Sequence, residues 1–217
     1  MFFSKSIAFD EEELGNVALA TGASSVRSLV EAEFIEKLKL GEAKAFDLLV
    51  TRYAGDIYAL LFRITEDVEE ANDLTQETFL RALKAIEKFR GEADLKTWLF
   101  RIAINESRNR FRWWKRRKRE ETFSLDASAR DSEVSIHETM AGNSANPEEN
   151  VLQREREKVL SKAINDLPQI YREAVVLCDV EGLSYGEIAL ALDTTMGTVK
   201  SRIARGREDL RRKLKDI

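Results

Sequence analysis

The chain has 217 residues with a formal net charge of -4 and a pI near 5.4; 43% of its residues are hydrophobic and 34% are charged. This composition is ordinary for a soluble, helix-rich protein of one large or two small domains. The single cysteine, Cys178, excludes an internal disulfide, and together with the single histidine, His137, it argues against a structural zinc site or a Cys-His catalytic pair.

Residues 1–33 carry six acids, two bases and the small-residue patch ATGASS. We interpret them as a weakly structured extension. The opening MFFSKSIAFDEEE turns acidic at once and lacks the charged start, apolar core and cleavage site of a signal peptide. No apolar run approaches the roughly 18 residues of a membrane span. A cytoplasmic protein is therefore expected.

Residues 34–119 show a helical pattern almost throughout. Apolar residues recur three and four apart in EFIEKLKLGEAKAFDLLVTRYAGDIYALLFRI, in EEANDLTQETFLRALKAI and in LKTWLFRIAINESRNRF. The third of these helices also carries a polar stripe suited to base edges and phosphates, formed by Arg101, Asn105, Arg108 or Asn109, and Arg112. The preceding loop, Phe89-Arg90-Gly91, offers an aromatic ring and backbone donors that suit an unstacked base.

A dense cationic stretch, RNRFRWWKRRKR, follows this stripe, and eight of its twelve residues are Lys or Arg. We expect its cations to neutralise phosphates of a nucleic acid. Trp113 and Trp114 leave two alternatives open: the pair wedges into a DNA fork, or at least one ring packs against the bundle, which we favour. Trp98, between Leu95 and Leu99, is interpreted as a core residue.

Residues 120–151 form the next segment, and eight acids against a single base fall between Glu120 and Asn150. Such a composition cannot bury a core of its own, so the segment is predicted to be a linker. Its acids either thread a basic channel in a partner or only keep the tether solvated. The helical pattern returns over residues 152–217, so the predicted fold class is all-α: two small helical bundles joined by a flexible acidic linker.

The segment GLSYGEIALALDTTMGTVKSRIARGREDLRRKL predicts a helix-turn-helix. Ser184 and Glu187 fit a capping box, and DTTMGT separates a short helix from a long basic one. In the second helix the apolar face holds Val199, Ile203, Gly206, Leu210 and Leu214. The opposite face presents small or polar residues between basic flanks and suits the major groove. A basic face that is merely solvated is the alternative.

Several of these motifs resemble the bacterial extracytoplasmic-function sigma factors, group 4 of the sigma-70 family, and in particular the sigma-E type. The resemblance rests on GEAKAFDLLVTRY, DLTQETFLRALKAIEKFRG, TWLFRIAINESRN and LPQIYREAVVLCDVEGLSYGEIALALDTTMGTVKSRIARGREDLRRKL, which follow one another in the family's order. It covers roughly residues 34–115 and 152–217. It implies sigma region 2 over 34–119 and sigma region 4 over 152–217, on either side of the linker.

The resemblance also implies roles for particular residues. Core RNA polymerase would bind Asp73, Gln76 and Glu77, an acidic and amide ridge that suits a basic partner helix. The -10 promoter element would contact Phe89, Arg90, Gly91, Arg101, Asn105, Arg108, Asn109 and Arg112, and upstream phosphates would contact Arg110, Lys115, Arg116 and Arg117, with Arg112 beside them. The -35 element would contact Thr198, Lys200, Ser201, Arg202, Ala204, Arg205 and Arg207. Ala204 stands where some sigma-E-type members carry a large aromatic residue, so the preferred -35 bases cannot be copied from relatives.

The resemblance thus implies a non-catalytic promoter-specificity subunit that promotes strand opening for a stress or envelope-response regulon, without cofactor or metal. Its expected partners are core RNA polymerase, promoter DNA and a cognate anti-sigma factor. A stand-alone helix-turn-helix regulator is the alternative, and it leaves the acidic ridge, the Phe-Arg-Gly loop and the polar stripe unexplained. An enzyme is disfavoured because no nucleophile-base pair, Gly-rich loop or metal cluster stands out in the sequence.

Overall fold

A computed structural model describes residues 30–121 and 147–215, so most of the predicted extension and linker lie outside the described residues. The described residues form helices and no strand, which confirms the all-α prediction. The elements are a helix over residues 30–39 (α1), Ala43–Thr65 (α2), Val68–Ala85 (α3), a 3-10 turn at Ile86–Lys88, Leu95–Glu121 (α4), Pro147–Asn165 (α5), Gln169–Val175 (α6), a π-helical turn at Val176–Val180, Tyr185–Leu192 (α7) and Met196–Lys215 (α8). Within these ranges, none of the helices combines the length and apolar character that a bilayer crossing requires.

Residues 30–49 form a helix, a tight turn and the beginning of α2. Gly41 has a φ of 75°, in the left-handed region that glycine adopts without a steric penalty. The Gly41 amide donates to the Leu38 carbonyl at 3.0 Å, and the Glu42 amide donates to the Lys37 carbonyl at 3.1 Å. This pair of bonds is the Schellman pattern, and it ends α1 by satisfying two of its last carbonyls.

The helices of the N-terminal bundle begin at aspartates. Asp67 precedes α3 and accepts a hydrogen bond from the Glu70 amide at 2.8 Å. Asp94 precedes α4 and accepts one from the Thr97 amide at 2.6 Å. Each carboxylate satisfies an amide that has no partner within its helix and lies at the positive end of the helix dipole. α3 packs against α4, and the apolar side chains buried on these two helices are Ala71, Leu74, Ala82, Leu95, Leu99, Phe100, Ala103 and Ile104.

α7 and α8 form the predicted helix-turn-helix. The capping box is confirmed: Ser184 Oγ accepts from the Glu187 amide at 3.3 Å, and Glu187 Oε2 accepts from the Ser184 amide at 2.7 Å. α7 ends at Asp193, which has a left-handed φ of 52°. Aspartate tolerates this conformation better than most residues. The chain therefore reverses within a few residues and enters α8 at Met196.

α8 lies against α6, and the two helices approach closely at Gly206. A Cβ atom at Gly206 would lie 2.5 Å from Val175 Cγ2 and 3.4 Å from Tyr171 Cβ. Val199 and Ile203 are buried on the same face, as predicted. Glycine is unfavourable inside a helix, so its presence here is explained by the space that α6 requires.

The helices on either side of the linker are longer than the sequence pattern indicated. α5 begins at Pro147, ahead of the predicted return of helix at Val151, and α4 continues to Glu121. Proline at the first helical position loses no hydrogen bond, and Glu148 and Glu149 in the first turn suit the helix dipole. The composition of the segment hid this start.

Candidate polymerase and nucleic-acid interface

The predicted polymerase-binding ridge lies on α3. Asp73 and Gln76 are exposed, while Glu77 is half-buried. Arg81 Nε lies 3.2 Å from Glu77 Oε1 and 2.8 Å from Glu106 Oε1 on α4. Glu106 is buried, so this arginine neutralises it and orients Glu77 in the same contact. The ridge thus presents a carboxylate, an amide and a second, positioned carboxylate to solvent.

The Phe89-Arg90-Gly91 loop borders a solvent-open cavity at the start of α4. Phe89 is buried against Trp98, with ring centroids 5.2 Å apart and an interplanar angle of 58°. Trp98 is only half-buried and lines this cavity, so its interpretation as a core residue holds for one part of the side chain. Arg90 and Gly91 are exposed, and Gly91 has a φ of 75°.

The polar stripe of α4 does not face open solvent along its whole length. α4 packs against α7 of the C-terminal bundle. Arg101 Nη2 lies 3.7 Å from Asp193 Oδ1, and Leu190 of α7 contributes to the cavity beside the Phe89 loop. Asn105 is half-buried, and further along, Arg112 Nη2 donates to Asn109 Oδ1 at 2.5 Å.

Arg108 makes the strongest contact between the two bundles. Its Nε lies 3.1 Å from both carboxylate oxygens of Glu173, and its Nη2 lies 2.5 Å from Glu173 Oε2. Its Nη1 also donates to the Leu192 carbonyl at 3.4 Å. The Glu173 side chain is 1% exposed. A carboxylate so buried requires a cation with good geometry, and the planar guanidinium supplies several parallel donors.

Arg172, the residue before Glu173, also reaches the N-terminal bundle. Its Nη1 donates to the Ile64 carbonyl near the end of α2 at 2.6 Å. Its Nη2 donates to the Leu167 carbonyl at 3.2 Å and to the Asn165 carbonyl at the end of α5. Burial lowers the pKa of the guanidinium, and the nearby carboxylate of Glu66 opposes that effect. One cation thus caps the C-terminal ends of two helices, where the dipoles favour positive charge.

A third polar contact joins the π-helical turn to the N-terminal bundle. Glu181 Oε1 lies 3.3 Å from Arg63 Nη1 on α2, and Glu181 Oε2 lies 3.9 Å from Lys96 Nζ on α4. Burial raises the pKa of the Glu181 carboxyl, whereas Arg63 and Lys96 act in the opposite direction. Burial is the larger effect.

Replacement of Arg63 by Ala is expected to raise the Glu181 pKa further above its usual value of 4.5, because one of the two cations that lower it is lost. Folded protein then holds this proton at a higher pH than unfolded protein, so this carboxyl's contribution to stability is greatest below the unfolded pKa and falls as pH rises through the folded pKa. Carboxyl carbon NMR titration of Glu181 in both proteins measures the shift. An unchanged or lower titration midpoint in Arg63→Ala would contradict the assignment.

The cationic end of α4 is exposed. The Trp113 and Trp114 side chains are 44% and 53% exposed and pack edge-to-face on each other, with centroids 5.6 Å apart. The Arg117 guanidinium lies 5.0 Å from the Trp113 ring centroid. The prediction that at least one of the two rings packs into the bundle is therefore wrong, since each ring is covered in part by its neighbour instead. Arg112, Lys115 and Arg116 are exposed and Arg110 is half-buried.

The outward face of α8 is open, as expected for a helix that enters a groove. Lys200, Ser201, Ala204 and Arg205 are exposed, while Thr198 and Arg202 are half-buried. Ser201 Oγ donates to the Thr198 carbonyl at 2.8 Å and Arg205 Nη1 to Tyr171 Oη at 3.5 Å. Most of the predicted -35 residues thus share one accessible surface.

Arg207 is held differently from its neighbours on α8. Its Nη2 and Nε lie 2.5 Å and 3.1 Å from the two carboxylate oxygens of Asp179, in the π-helical turn. Its Nη2 is 3.6 Å from Cys178 Sγ. Cys178 is half-buried, and burial raises the pKa of its thiol. A raised pKa disfavours the reactive thiolate, which fits the interpretation of Cys178 as a packed thiol.

The sequence did not indicate that Glu173, Glu181, Asp193 and Arg172 would contact the other bundle. One available signal was Glu173 itself, a carboxylate immediately before the apolar run Ala-Val-Val-Leu-Cys. Across residues 30–121 and 147–215, no group of three or more His, Cys, Asp or Glu side chains is arranged to hold a metal ion.

Comparison with known proteins supports the same assignment. Residues 49–119 match Sigma-70 region 2, and residues 157–210 match Sigma-70 region 4. The chain is 36% identical over 187 residues to the RNA polymerase sigma-H factor of Pseudomonas aeruginosa, covering 86% of this chain and 95% of that protein. It is 36% identical over 189 residues to the ECF RNA polymerase sigma-E factor of Haemophilus influenzae, covering 87% and 97%.

The fold is also similar to a solved structure of the sigma factor RpoE in complex with the anti-sigma factor NepR from Bartonella quintana. The TM-score is 0.63 and the identity is 27%, with 80% of this chain and 98% of that chain covered. Two sigma-70 regions in one chain, in the expected order, are not accounted for by a stand-alone helix-turn-helix regulator. The chain belongs to the extracytoplasmic-function sigma factors of the sigma-70 family.

Proposed function

We propose that this sigma factor binds core RNA polymerase through the exposed ridge of Asp73, Gln76 and Glu77 on α3. The observation that carries the assignment is the Arg81 contact, which fixes Glu77 beside two exposed hydrogen-bonding side chains. A rigid acidic surface of this kind complements a basic helix and repels a phosphate backbone. The ridge therefore serves protein recognition, and DNA recognition belongs to α4 and α8.

The assignment of the two promoter elements follows from the open faces of the two bundles. Arg90, Trp98 and Arg101 surround the cavity where a flipped base of the -10 element binds. The exposed face of α8 reads the -35 element, with Lys200 and Arg205 beside the small Ala204. Capture of an unpaired base favours strand opening because the closed duplex cannot make that contact.

The chain acts as a promoter-specificity subunit and leaves RNA synthesis to the polymerase, so it works in the cytoplasm and carries no catalytic site of its own. A cognate anti-sigma factor controls it, and a stress or envelope signal releases it. The relative from Bartonella quintana, which was solved with an anti-sigma factor, supports this control by likeness. The domain limits adopted here are 34–119 for polymerase and -10 binding and 152–217 for -35 binding.

The test is a pull-down of purified bacterial core RNA polymerase by the full chain. We expect stoichiometric capture by the unmodified protein and loss of at least about 90% of it when Asp73, Gln76 and Glu77 are all replaced by Ala, since rigid charged contacts at an interface centre dominate binding. The matched control replaces Glu87, Glu92 and Asp209, which lie outside the ridge. Equal capture by both triple variants would overturn the ridge assignment.

A further inference from the structure

The two arginines of the α4 stripe that are assigned to -10 DNA each face a carboxylate of the C-terminal bundle. Glu173 holds Arg108 with two oxygens at 2.5–3.1 Å, and Asp193 lies 3.7 Å from Arg101. A carboxylate that engages a guanidinium through paired oxygens uses the same donors that a phosphate would use. The C-terminal bundle thus presents to α4 the chemistry of a nucleic-acid backbone.

The cavity for the flipped base is affected by the same contact. Leu190 of α7 is one of its lining residues, although the rest of the lining comes from the N-terminal bundle. α7 packs along α4, which carries Trp98 and Arg101 on the cavity side. A DNA strand following the stripe from Arg101 to Arg108 would have to displace α7.

Other contacts hold the bundles in this arrangement without using residues assigned to DNA. Arg172 donates to the Ile64 carbonyl at 2.6 Å, and Glu181 lies 3.3 Å from Arg63 and 3.9 Å from Lys96. These contacts come from one short stretch, α6 and the π-helical turn that follows it. The closed arrangement is therefore specified by a dedicated set of charged residues.

From these contacts we infer that the free chain is autoinhibited: the C-terminal bundle closes on α4 and masks its -10 DNA surface through Glu173 and Asp193. This inference rests on the proposed function, because it takes the α4 stripe to be the -10 surface. DNA and the closed form compete for Arg108, so the free protein binds DNA weakly. A partner that separates the bundles, such as core polymerase, exposes the stripe.

The ridge on α3 stays accessible in the closed form. Asp73 and Gln76 are exposed even though Arg101 and Arg108 are engaged. Polymerase can therefore dock before DNA does, and the order of events follows from which surface is open. Binding to polymerase is the step that makes promoter recognition available.

The test uses the full chain carrying Glu173→Gln together with Glu181→Gln, which keeps both side-chain shapes and removes both charges. Small-angle X-ray scattering should show a larger radius of gyration than for the unmodified protein. Fluorescence anisotropy with a labelled mixed-sequence single-stranded oligonucleotide should show binding tighter by at least about fivefold, as expected when a coupled closed state is weakened.

A control with the same change in net charge replaces two acids that do not join the bundles, through Glu155→Gln with Asp209→Asn. It should leave the radius of gyration unchanged and raise DNA affinity by less than about twofold, the effect of charge alone. Circular dichroism must show equal helix content in all three proteins. If the paired Glu variant fails this check, Arg63→Glu replaces it, because that change attacks the Glu181 contact from an exposed position.

An unchanged radius of gyration in a folded variant would overturn the closed form. Expansion without tighter DNA binding would show that the bundles open but that α4 is not masked, which would overturn the autoinhibition. Core polymerase capture by the same variants reports separately on the proposed function. Loss of capture with normal opening would locate the failure in the ridge assignment and not in the closed arrangement.

Discussion

Replacement of Gly206 by Ala is expected to destabilise the C-terminal bundle by about 1–3 kcal/mol or more, because the added methyl group overpacks the crossing of α6 and α8. Its Cβ would lie 2.5 Å from Val175 Cγ2, a distance that carbon atoms do not tolerate. Val175 is itself buried and has little room to move. Urea denaturation followed by circular dichroism at 222 nm measures the loss.

The matched control is Gly55→Ala inside α2. No atom lies within 4 Å of the position that its Cβ would occupy. Alanine is a better helix former than glycine by about 0.8–1 kcal/mol, so this variant should be as stable as the unmodified protein or more stable. The same substitution should therefore change stability in opposite directions at two helical sites. A Gly206→Ala variant as stable as Gly55→Ala would contradict the close approach described above.

Replacement of Arg172 by Ala is expected to cost on the order of 3 kcal/mol, because hydrogen bonds to charged groups contribute about 1.5–3 kcal/mol each. The guanidinium donates to the carbonyls of Ile64, Asn165 and Leu167, and each would lose this donor. Lysine is expected to recover only part of the loss, since a single ammonium cannot reproduce the geometry of the planar fork. Chemical denaturation of the full chain provides the comparison.

Arg211→Ala serves as the control for the loss of an arginine. Arg211 is exposed and pairs with Glu208 one turn earlier on the same helix. Exposed pairs of this kind contribute about 0.3–0.5 kcal/mol. A loss at Arg172 no larger than the loss at Arg211 would show that water replaces the guanidinium at the two helix ends without penalty.

Features that depend on neighbouring residues could be predicted from the sequence. The Ser184 and Glu187 capping box is set by two residues three apart, and the structure contains it as predicted. The apolar face of α8 follows from helical periodicity, and Gly206 fell on it correctly. The all-α fold and the order of the helices required no long-range information.

Features that depend on distant residues could not be predicted in this way. Arg108 and Glu173 are separated by 65 positions, and the local pattern assigned Arg108 to a solvent-facing stripe. Charge periodicity identifies a polar face but not what covers that face in the folded chain. Trp113 and Trp114 show the converse error: their size suggested packing into the bundle, whereas they cover each other on an exposed turn of α4.

The π-helical turn at Val176–Val180 restricts how the length of the chain can vary. Its wider hydrogen-bonding pattern is marked by the Glu181 amide, which donates to the Val176 carbonyl at 3.0 Å. Such turns accommodate one more residue than an α-helix would in the same place. Deleting one residue here would rotate everything that follows by about 100° around the helix axis. Glu181 would then turn away from Arg63, so in a comparison of descendants of this gene a single-codon deletion at this turn should be far rarer than substitutions at the same positions.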